Sequence, residues 1–336
     1  MARVVVRCLA PLAVAACLAG AASGPASPGD SGRVHTALVP SDPYFAGWSW
    51  PALTSKLDGA WNVTLGSPTV TIAVVDTGVT PLGDLAHALV PGVDLVDGSG
   101  STADTNGHGT AVASVIAART DNGIGIAGVC GGCTIMPVRV FDASGSASTA
   151  TVAAGITWAV DHGADVVNLS LSGSQDSPVL DEAIVYATGH NVSVVVAAGN
   201  GGSSDAAHDG YPAASSPSAV RVAGVDRNGA LFSWSNRGSW VDIAAPGSVA
   251  ALLANGTVAL GIQGTSMAAP YVSGTVGLML STNNALSPAD VKRILLATGS
   301  PTAGLDVSSG KRLDAYAALV GAGHATSAAL AVAGGA

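Results

Sequence analysis

Short runs rich in Val and Ile alternate with helix-like segments along most of the chain, which limits the fold more than any other property of the sequence. Strands separated by helices form βαβ units, whose strands lie parallel in one sheet. Ser287, followed by Pro288 and Asp290, is a good start signal for the last helix-like segment. The sequence predicts strands at residues 70–75, 134–140, 165–171, 192–198, 219–225 and 241–243, and helices that begin near His108, Thr149, Pro178, Ser266 and Pro288. Because several strands are continuously apolar, we expect an α/β fold with a mostly parallel sheet covered on both faces.

Composition and charge exclude several classes of protein. Of the 336 residues, 48% are hydrophobic and only 10% are charged, which is incompatible with a disordered chain. No uninterrupted apolar stretch of about 18 residues follows the N-terminus, so a membrane protein with several spans is excluded. With 13 Lys and Arg against 22 Asp and Glu, the formal charge is −9, and no basic run is present. We therefore expect no nucleic-acid partner.

The first 22 residues have the pattern of a secretory signal peptide. Arg3 and Arg7 precede an apolar segment at residues 9–18, and small residues at 19–21 fit a cleavage site. The alternative for this segment is a buried or anchoring helix. Residues 14–17 also resemble the lipobox of bacterial lipoproteins, in which Cys17 would be lipidated. The sequence thus predicts a secreted protein, with a lipid anchor at the cell envelope as the alternative.

The remaining chain divides by composition into three parts. Residues 23–39 are rich in Gly, Pro and Ser and are predicted to be a linker or a short prosegment. Residues 40–320 carry the alternating pattern and are expected to form a single folded domain. Residues 321–336 form a Gly/Ala-rich tail that is too polar for a membrane span.

Two cysteines, Cys130 and Cys133, lie outside the predicted signal peptide. In an oxidising compartment a Cys-Gly-Gly-Cys pair favours a small disulfide loop over a redox centre. Two ligands do not complete a tetrahedral zinc site, so no metal is expected there.

Polar residues follow predicted strands where catalytic groups gather in a parallel sheet. Asp76 directly follows one apolar strand, and Asn200 follows another. His108 lies between two glycines before a helix-like run, and Ser266 precedes a run of small residues at a predicted helix N-terminus. Taken singly, Asp76 fits a turn residue, Ser266 a helix N-cap, His108 an ordinary histidine and Asn200 a residue that tolerates a left-handed backbone.

Together these four residues supply the groups that amide hydrolysis needs. The reaction requires a nucleophile, a base, a group that orients the base and donors for the oxyanion. Ser266, His108, Asp76 and Asn200 provide one residue for each role. The chain order Asp, His, Ser is the subtilisin order.

The motifs around these residues resemble those of the subtilisin-like serine peptidases, the S8 family or subtilases. The chain contains VVDTGV at 74–79, NGHGT at 106–110, AAGN at 197–200 and GTSMAAP at 264–270. The resemblance covers about residues 40–320 and implies a subtilisin-like three-layer α/β/α sandwich. It also implies that Ser266 is the nucleophile, His108 the general base, Asp76 its partner and Asn200 an oxyanion donor. The substrate-binding residues implied by the family are Ser170, Leu171, Ser172, Ala198 and Gly199.

The expected function is that of a secreted serine endopeptidase that forms an acyl-enzyme on Ser266. Its partners would be protein or peptide substrates, it would act as a monomer, and the chemistry requires no cofactor. Structural calcium is common in the family, but the sequence contains no loop dense in carboxylates that can be matched to a ligand set. A catalytically silent binding protein at the cell envelope and a processing protease with few substrates are the alternative functions.

Substrate preference can be predicted from one position next to the oxyanion motif. Gly201 follows Asn200 at a place where a charged residue would tune the substrate pocket. This predicts a neutral, apolar residue before the scissile bond. If basic residues proved better, Asp205 or Asp209 would be the suspected partners.

Overall fold

A mostly parallel sheet lies at the centre of the computed structural model, which describes residues 3–5 and 38–333. The strands are β1 (Arg3–Val5), β2 (Thr71–Asp76), β3 (Val93–Asp94), β4 (Thr134–Arg139), β5 (Ser146–Ser148), β6 (Val166–Leu169), β7 (Ser193–Ala197), β8 (Val220–Val225), β9 (Ile243–Pro246), β10 (Ser248–Leu252), β11 (Val258–Gln263), β12 (Ser300–Pro301) and β13 (Lys311–Arg312). The nine strands of the central sheet have the order β12-β13-β9-β8-β7-β6-β2-β4-β3. Within it the pairings are parallel except that of β12 with β13. The predicted parallel sheet is confirmed.

Helices cover both faces of this sheet. They are α1 (Phe45–Trp48), α2 (Trp50–Thr54), α3 (Leu57–Trp61), α4 (His108–Ala117), α5 (Thr149–Asp161), α6 (Pro178–Gly189), α7 (Thr265–Thr282), α8 (Pro288–Thr298) and α9 (Ala315–Ala333). Single 3-10 turns occur at Ala86–Ala88 and Ala213–Ser215. The arrangement is the predicted three-layer α/β/α sandwich.

Alternation of side chains along β2 explains why two apolar cores form. Ile72 and Val74 point to the face that α4 and α7 cover, whereas Ala73 and Val75 point to the face of α5 and α6. Successive residues of a strand face opposite sides of the sheet, so a continuously apolar strand needs a cover on each side. Because β2 lies between β4 and β6, its last residue, Asp76, is held at the carboxyl end of an interior strand of the sheet.

The helix starts agree closely with the sequence-based expectations. The predicted cap of α8 is present, because Ser287 Oγ accepts a hydrogen bond from the Asp290 N–H at 3.1 Å. The antiparallel hairpin of β10 and β11 was not predicted. One reason is that β11 is half-buried or exposed along its length, so its sequence lacks the clear two-residue period of a strand with one buried face.

The C-terminal helix crosses the boundary that the sequence suggested at residue 321. Helix α9 runs from Ala315 to Ala333 without a break there. Ala318, Leu319 and Ala322 belong to the larger core, so the helix packs against the core on both sides of the suggested boundary. No helix in the described ranges is both long and apolar enough to cross a membrane.

Two further features lie away from the central sheet. Strand β1 pairs antiparallel with β5, in the register Arg3 with Ser148 and Val5 with Ser146. The rest of the predicted signal peptide, including Cys17, lies outside the described residues, as do most of the predicted linker and residues 334–336. Cys130 and Cys133 form a disulfide beneath the start of β4.

Candidate active site

The four predicted catalytic residues lie at the ends of strands and at the starts of helices. Asp76 is the last residue of β2, and Asn200 follows the end of β7 by three positions. His108 is the first residue of α4, and Ser266 is the second residue of α7. The first N–H groups of a helix have no partner within the helix, so the Ser266 backbone N–H is available as a donor.

Asp76 and His108 form a buried pair. His108 Nδ1 lies 2.8 Å from Asp76 Oδ1 and 3.0 Å from Oδ2, and the two residues are only 7% and 1% exposed. The Thr77 N–H also donates to Asp76 Oδ1, at 2.7 Å. These contacts fix the carboxylate and orient the imidazole, with Nδ1–H as the donor to Asp76.

The other ring nitrogen of His108 is left free to take a proton. Nε2 is buried and has no hydrogen-bond partner within the described residues. Burial of the imidazole lowers its pKa, but the charge and hydrogen bond of Asp76 and the charge of Asp104 outweigh burial, so the pKa of His108 is raised. A raised pKa makes the imidazole a better base once it is neutral.

Asn200 is oriented by the residue that precedes Ser266. Its Oδ1 accepts hydrogen bonds from the Thr265 N–H at 2.9 Å and from Thr265 Oγ1 at 3.1 Å. The amide nitrogen Nδ2 is therefore turned away from Thr265. Both this nitrogen and Ser266 Oγ lie close to Gly264, since a Cβ placed on that glycine would be 4.0 Å from Asn200 Nδ2 and 2.9 Å from Ser266 Oγ. With φ at +152°, Gly264 adopts a backbone that L side chains rarely adopt.

A chain of buried hydrogen bonds holds the first turn of α7 against β6. Ser273 Oγ donates to Asn168 Oδ1, and Asn168 Nδ2 donates to Ser170 Oγ. Ser170 Oγ in turn donates to the Ser266 carbonyl at 2.8 Å. Sequence analysis missed Asn168 and Ser273, although a polar residue inside the apolar run before Ser170 is a signal that could have found Asn168.

The loop before His108 is built around a single carboxylate that sequence analysis also missed. Asp104 accepts hydrogen bonds from the Thr77 and Thr110 hydroxyls and from the Asn106, Gly107 and Thr110 N–H groups. Asp104 thus ties the start of α4 to the end of β2. An acidic residue just ahead of a helix N-terminus is the signal that could have identified it.

A small recess adjoins two of the predicted catalytic residues, Asn200 and Ser266. It is lined by Ser170, Leu171, Ser172, Ala197, Asn200, Thr265 and Ser266. Ala198 is fully buried in a separate apolar cluster, and the recess is lined by its neighbour Ala197 instead. Gly199 is not among the residues that line the recess, and its N–H donates to Thr265 Oγ1 at 3.1 Å.

The raised pKa of His108 gives the site a defined pH dependence. Because only the neutral imidazole accepts a proton, kcat/KM is expected to fall about tenfold per pH unit below that pKa, with a midpoint above the ordinary histidine value. Asp104→Asn removes one of the charges that raise the pKa, so its midpoint should move to lower pH. The measurement is the pH profile of kcat/KM, with Asp58→Asn in α3 as the control that leaves the midpoint in place. A rate that rises on acidification would contradict the role of His108.

Comparisons with known proteins find several that are similar to this chain in sequence and in fold. The chain matches the sequence profile described as "Subtilase family" over residues 67–323. It is 40% identical over 284 residues to "Thermitase" of Thermoactinomyces vulgaris, a match that covers 84% of this chain and 99% of thermitase. It is 39% identical over 248 residues to "Thermophilic serine proteinase" of Bacillus sp. (strain AK1), covering 74% of this chain and 61% of that relative's length. Among solved structures, that of a protease from Pseudoalteromonas arctica PAMC 21717 has a TM-score of 0.75 at 31% identity, covering 84% of this chain and 99% of that one.

Proposed function

Because the chain belongs to the subtilase family of serine endopeptidases, we propose that it is a secreted endopeptidase that cleaves peptide bonds through an acyl-enzyme on Ser266. The observation that carries the proposal is the buried His108–Asp76 pair, with Nε2 unpartnered among the described residues. A buried, oriented imidazole with one free nitrogen is the arrangement that activates a serine hydroxyl.

The reaction proceeds in two halves. His108 Nε2 takes the proton from Ser266 Oγ as that oxygen attacks the substrate carbonyl carbon. Asn200 Nδ2 and the Ser266 N–H donate hydrogen bonds to the oxyanion, and Asp76 stabilises the imidazolium. His108 then gives the proton to the leaving amine as the C–N bond breaks, which leaves an ester on Ser266. Water, deprotonated by the same imidazole, hydrolyses the ester and restores the free enzyme.

An extended substrate would be held by backbone pairing along Ser170–Leu171–Ser172 and along β5. The edge of β5 can pair with an extended strand, since Arg3–Val5 pairs with it antiparallel, and this supports the proposal that a substrate could pair there. The loop that leads to β5 adjoins the His108 loop, since Asn106 Nδ2 donates to the Ala143 carbonyl. Backbone pairing on two edges would give affinity that does not depend on the side chains of the substrate.

Secretion is proposed from the pattern of residues 1–22 and agrees with the disulfide of Cys130 and Cys133. A lipid anchor at Cys17 is the alternative. The two differ in mass, since lipidation begins the mature chain at Cys17 and adds acyl chains.

The test is the intact mass of the purified secreted protein before and after treatment with a serine-directed fluorophosphonate. We expect one adduct on the native protein and none on Ser266→Ala. The untreated mass separates cleavage near Ala21 from lipidation at Cys17. A correctly folded native protein that gives no adduct would refute the proposal in favour of the silent binding protein.

We also propose a structural calcium ion between the N-terminal segment and the loop that follows α4. No group of three or more His, Cys, Asp or Glu side chains among the described residues could hold a metal ion, so amide and carbonyl oxygens would have to complete a site that has two carboxylates. The carboxylates of Asp42 and Asp84 interact electrostatically there. Burial and the negative charge of Asp42 both raise the pKa of Asp84, whereas the hydrogen bonds from Asn122 and Ile126 lower it, and the pKa is raised overall. A Cβ on Gly125, whose φ is +57°, would contact Asp84 Oδ2, so the loop wraps tightly around that carboxylate. Carboxylate, amide and carbonyl oxygens are the ligands that Ca²⁺ prefers.

Calcium binding at this place should stabilise the fold. After removal of metal with EDTA, added Ca²⁺ is expected to raise the melting temperature by about 5 °C or more, because a ligand bound only by the folded state stabilises it. Asp84→Asn should abolish most of the rise, whereas Asp205→Asn, whose side chain is 63% exposed, should keep it. An equal rise in native protein and Asp84→Asn would place the ion elsewhere.

A further inference from the structure

One carboxylate outside the catalytic residues lies against the wall of the recess. Asp209 Oδ2 accepts a hydrogen bond from Ser172 Oγ at 2.9 Å and another from the Asn200 N–H at 3.2 Å. Both donors belong to residues that line the recess. The negative charge of Asp209 is therefore one hydrogen bond away from the place where a substrate side chain would enter.

This charge is not neutralised by a neighbouring cation. No Lys, Arg or His side chain in the described part of the chain forms an ion pair with Asp209. The adjacent His208 lies 3.4 Å from Asp205 instead. The two hydrogen bonds to Asp209 both end on Oδ2. The carboxylate thus retains the capacity to accept a hydrogen bond from a charged ligand group.

The backbone that carries Asp209 is held in place by a buried amide. Asn236, which is fully buried, donates from Nδ2 to the carbonyls of Ala198, His208 and Asp209 at 2.9–3.1 Å. Two residues further on, Tyr211 exchanges backbone hydrogen bonds with Gly173, beside the recess wall. The loop is therefore pinned on both sides of Asp209, so the carboxylate is preorganised and loses little entropy on binding a ligand.

We propose that Asp209 is a specificity-determining residue that selects a basic side chain, Arg or Lys, at the substrate residue before the scissile bond. The aliphatic stem of that side chain would lie along Leu171 and Ala197, and its cationic group would reach the Asp209 carboxylate. A charge-assisted hydrogen bond of this kind is stronger than a neutral one, and it is stronger still in a partly buried recess. The inference rests on the proposed endopeptidase function of the same site.

The sequence-based expectation of an apolar residue at this substrate position depended on Gly201, which carries no charge. In the structure the Asn200 N–H contacts Asp209, brought there from nine positions further along the chain. Because the loop after Asn200 folds back on itself, the carboxylate of Asp209 lies beside Asn200, a contact that the residues next to Asn200 in the sequence do not reveal. The geometry therefore favours the alternative in which Asp209 is the partner of a basic residue.

The test uses three chromogenic peptides that differ only at the residue before the scissile bond, which is Arg, citrulline or Leu. Citrulline has nearly the shape of Arg without its charge, so the ratio of kcat/KM for Arg to that for citrulline isolates the charge. We expect this ratio to be about tenfold or more in the native protein and to fall towards one in Asp209→Asn. Asparagine can still accept the hydrogen bonds from Ser172 and Asn200. Asp205→Asn is the matched control on the same loop and should keep the native ratio.

Each outcome decides the question. A native ratio near one, or a high ratio that Asp209→Asn leaves unchanged, would overturn the role of Asp209. The native ratio needs no variant, so the proposal stays falsifiable if Asp209→Asn does not fold. If no peptide is cleaved and no fluorophosphonate adduct forms, the endopeptidase function itself fails; cleavage of all three peptides at equal rates overturns only the specificity.

Discussion

Ser266→Ala is expected to lower kcat by about 10⁶-fold, the cost of removing the nucleophile from a subtilisin-type triad. The fold should survive, because Ser266 Oγ makes no hydrogen bond to any of the described residues and α7 is held instead through the Ser266 carbonyl. The measurement is turnover of a peptide substrate together with the melting temperature. Ser281→Ala, near the other end of α7, is the matched control and should keep its activity.

The combination of results identifies the nucleophile. An inactive variant with an unchanged melting temperature assigns a chemical role to Ser266. Retention of more than about a thousandth of the native kcat would contradict the acyl-enzyme mechanism, since the oxyanion donors and substrate binding alone leave only a small residual rate.

Asp76→Asn is expected to lower kcat by about 10⁴-fold at neutral pH, the loss typical of this change in a serine protease triad. The native carboxylate accepts the His108 Nδ1–H and stabilises the imidazolium, whereas an amide does neither reliably and favours the wrong tautomer. The loss should be in kcat more than in KM, because Asp76 is 1% exposed and does not line the recess.

A second carboxylate that contacts the same strand provides the control. Asp165 Oδ2 accepts a hydrogen bond from the Thr71 N–H, at the opposite end of β2 from Asp76. Asp165→Asn changes the same chemical group and should stay within a few-fold of native kcat. If both variants lost activity equally, the effect of Asp76→Asn would be on the stability of the sheet.

The sequence predicts those parts of the candidate site whose signal is local. Asp76 follows an apolar strand directly, and Ser266 and His108 begin helices, so each has a recognisable neighbourhood. The strands of the central sheet are predicted for the same reason, since an apolar run of about four to seven residues is visible without knowledge of its partners. The two edge strands of the sheet, β3 and β12, have two residues each and form only because a neighbouring strand is present.

The supporting residues depend on contacts that no local pattern reveals. Ser273 bonds to Asn168 across 105 positions, and Thr265 bonds to Asn200 across 65. Each is a polar residue in an apolar segment, and its partner is decided only when β6, β7 and α7 pack together. Asn236 is the clearest case, because its amide reaches three carbonyls of a loop that begins after a different strand.

The loop between β7 and β8, which Asn236 holds in place, differs from the rest of the candidate site in how well it tolerates substitution. The groups proposed to break the peptide bond lie at the ends of buried strands and at the starts of helices, where most substitutions also disturb the core. Asp209 lies on a connection whose neighbours Ala207 and His208 are exposed, and substitutions there cost the core little. If Asp209 selects the substrate residue before the scissile bond as proposed, substitutions at a few positions of this loop would change which peptides are cleaved and leave the groups proposed to break the bond unaltered.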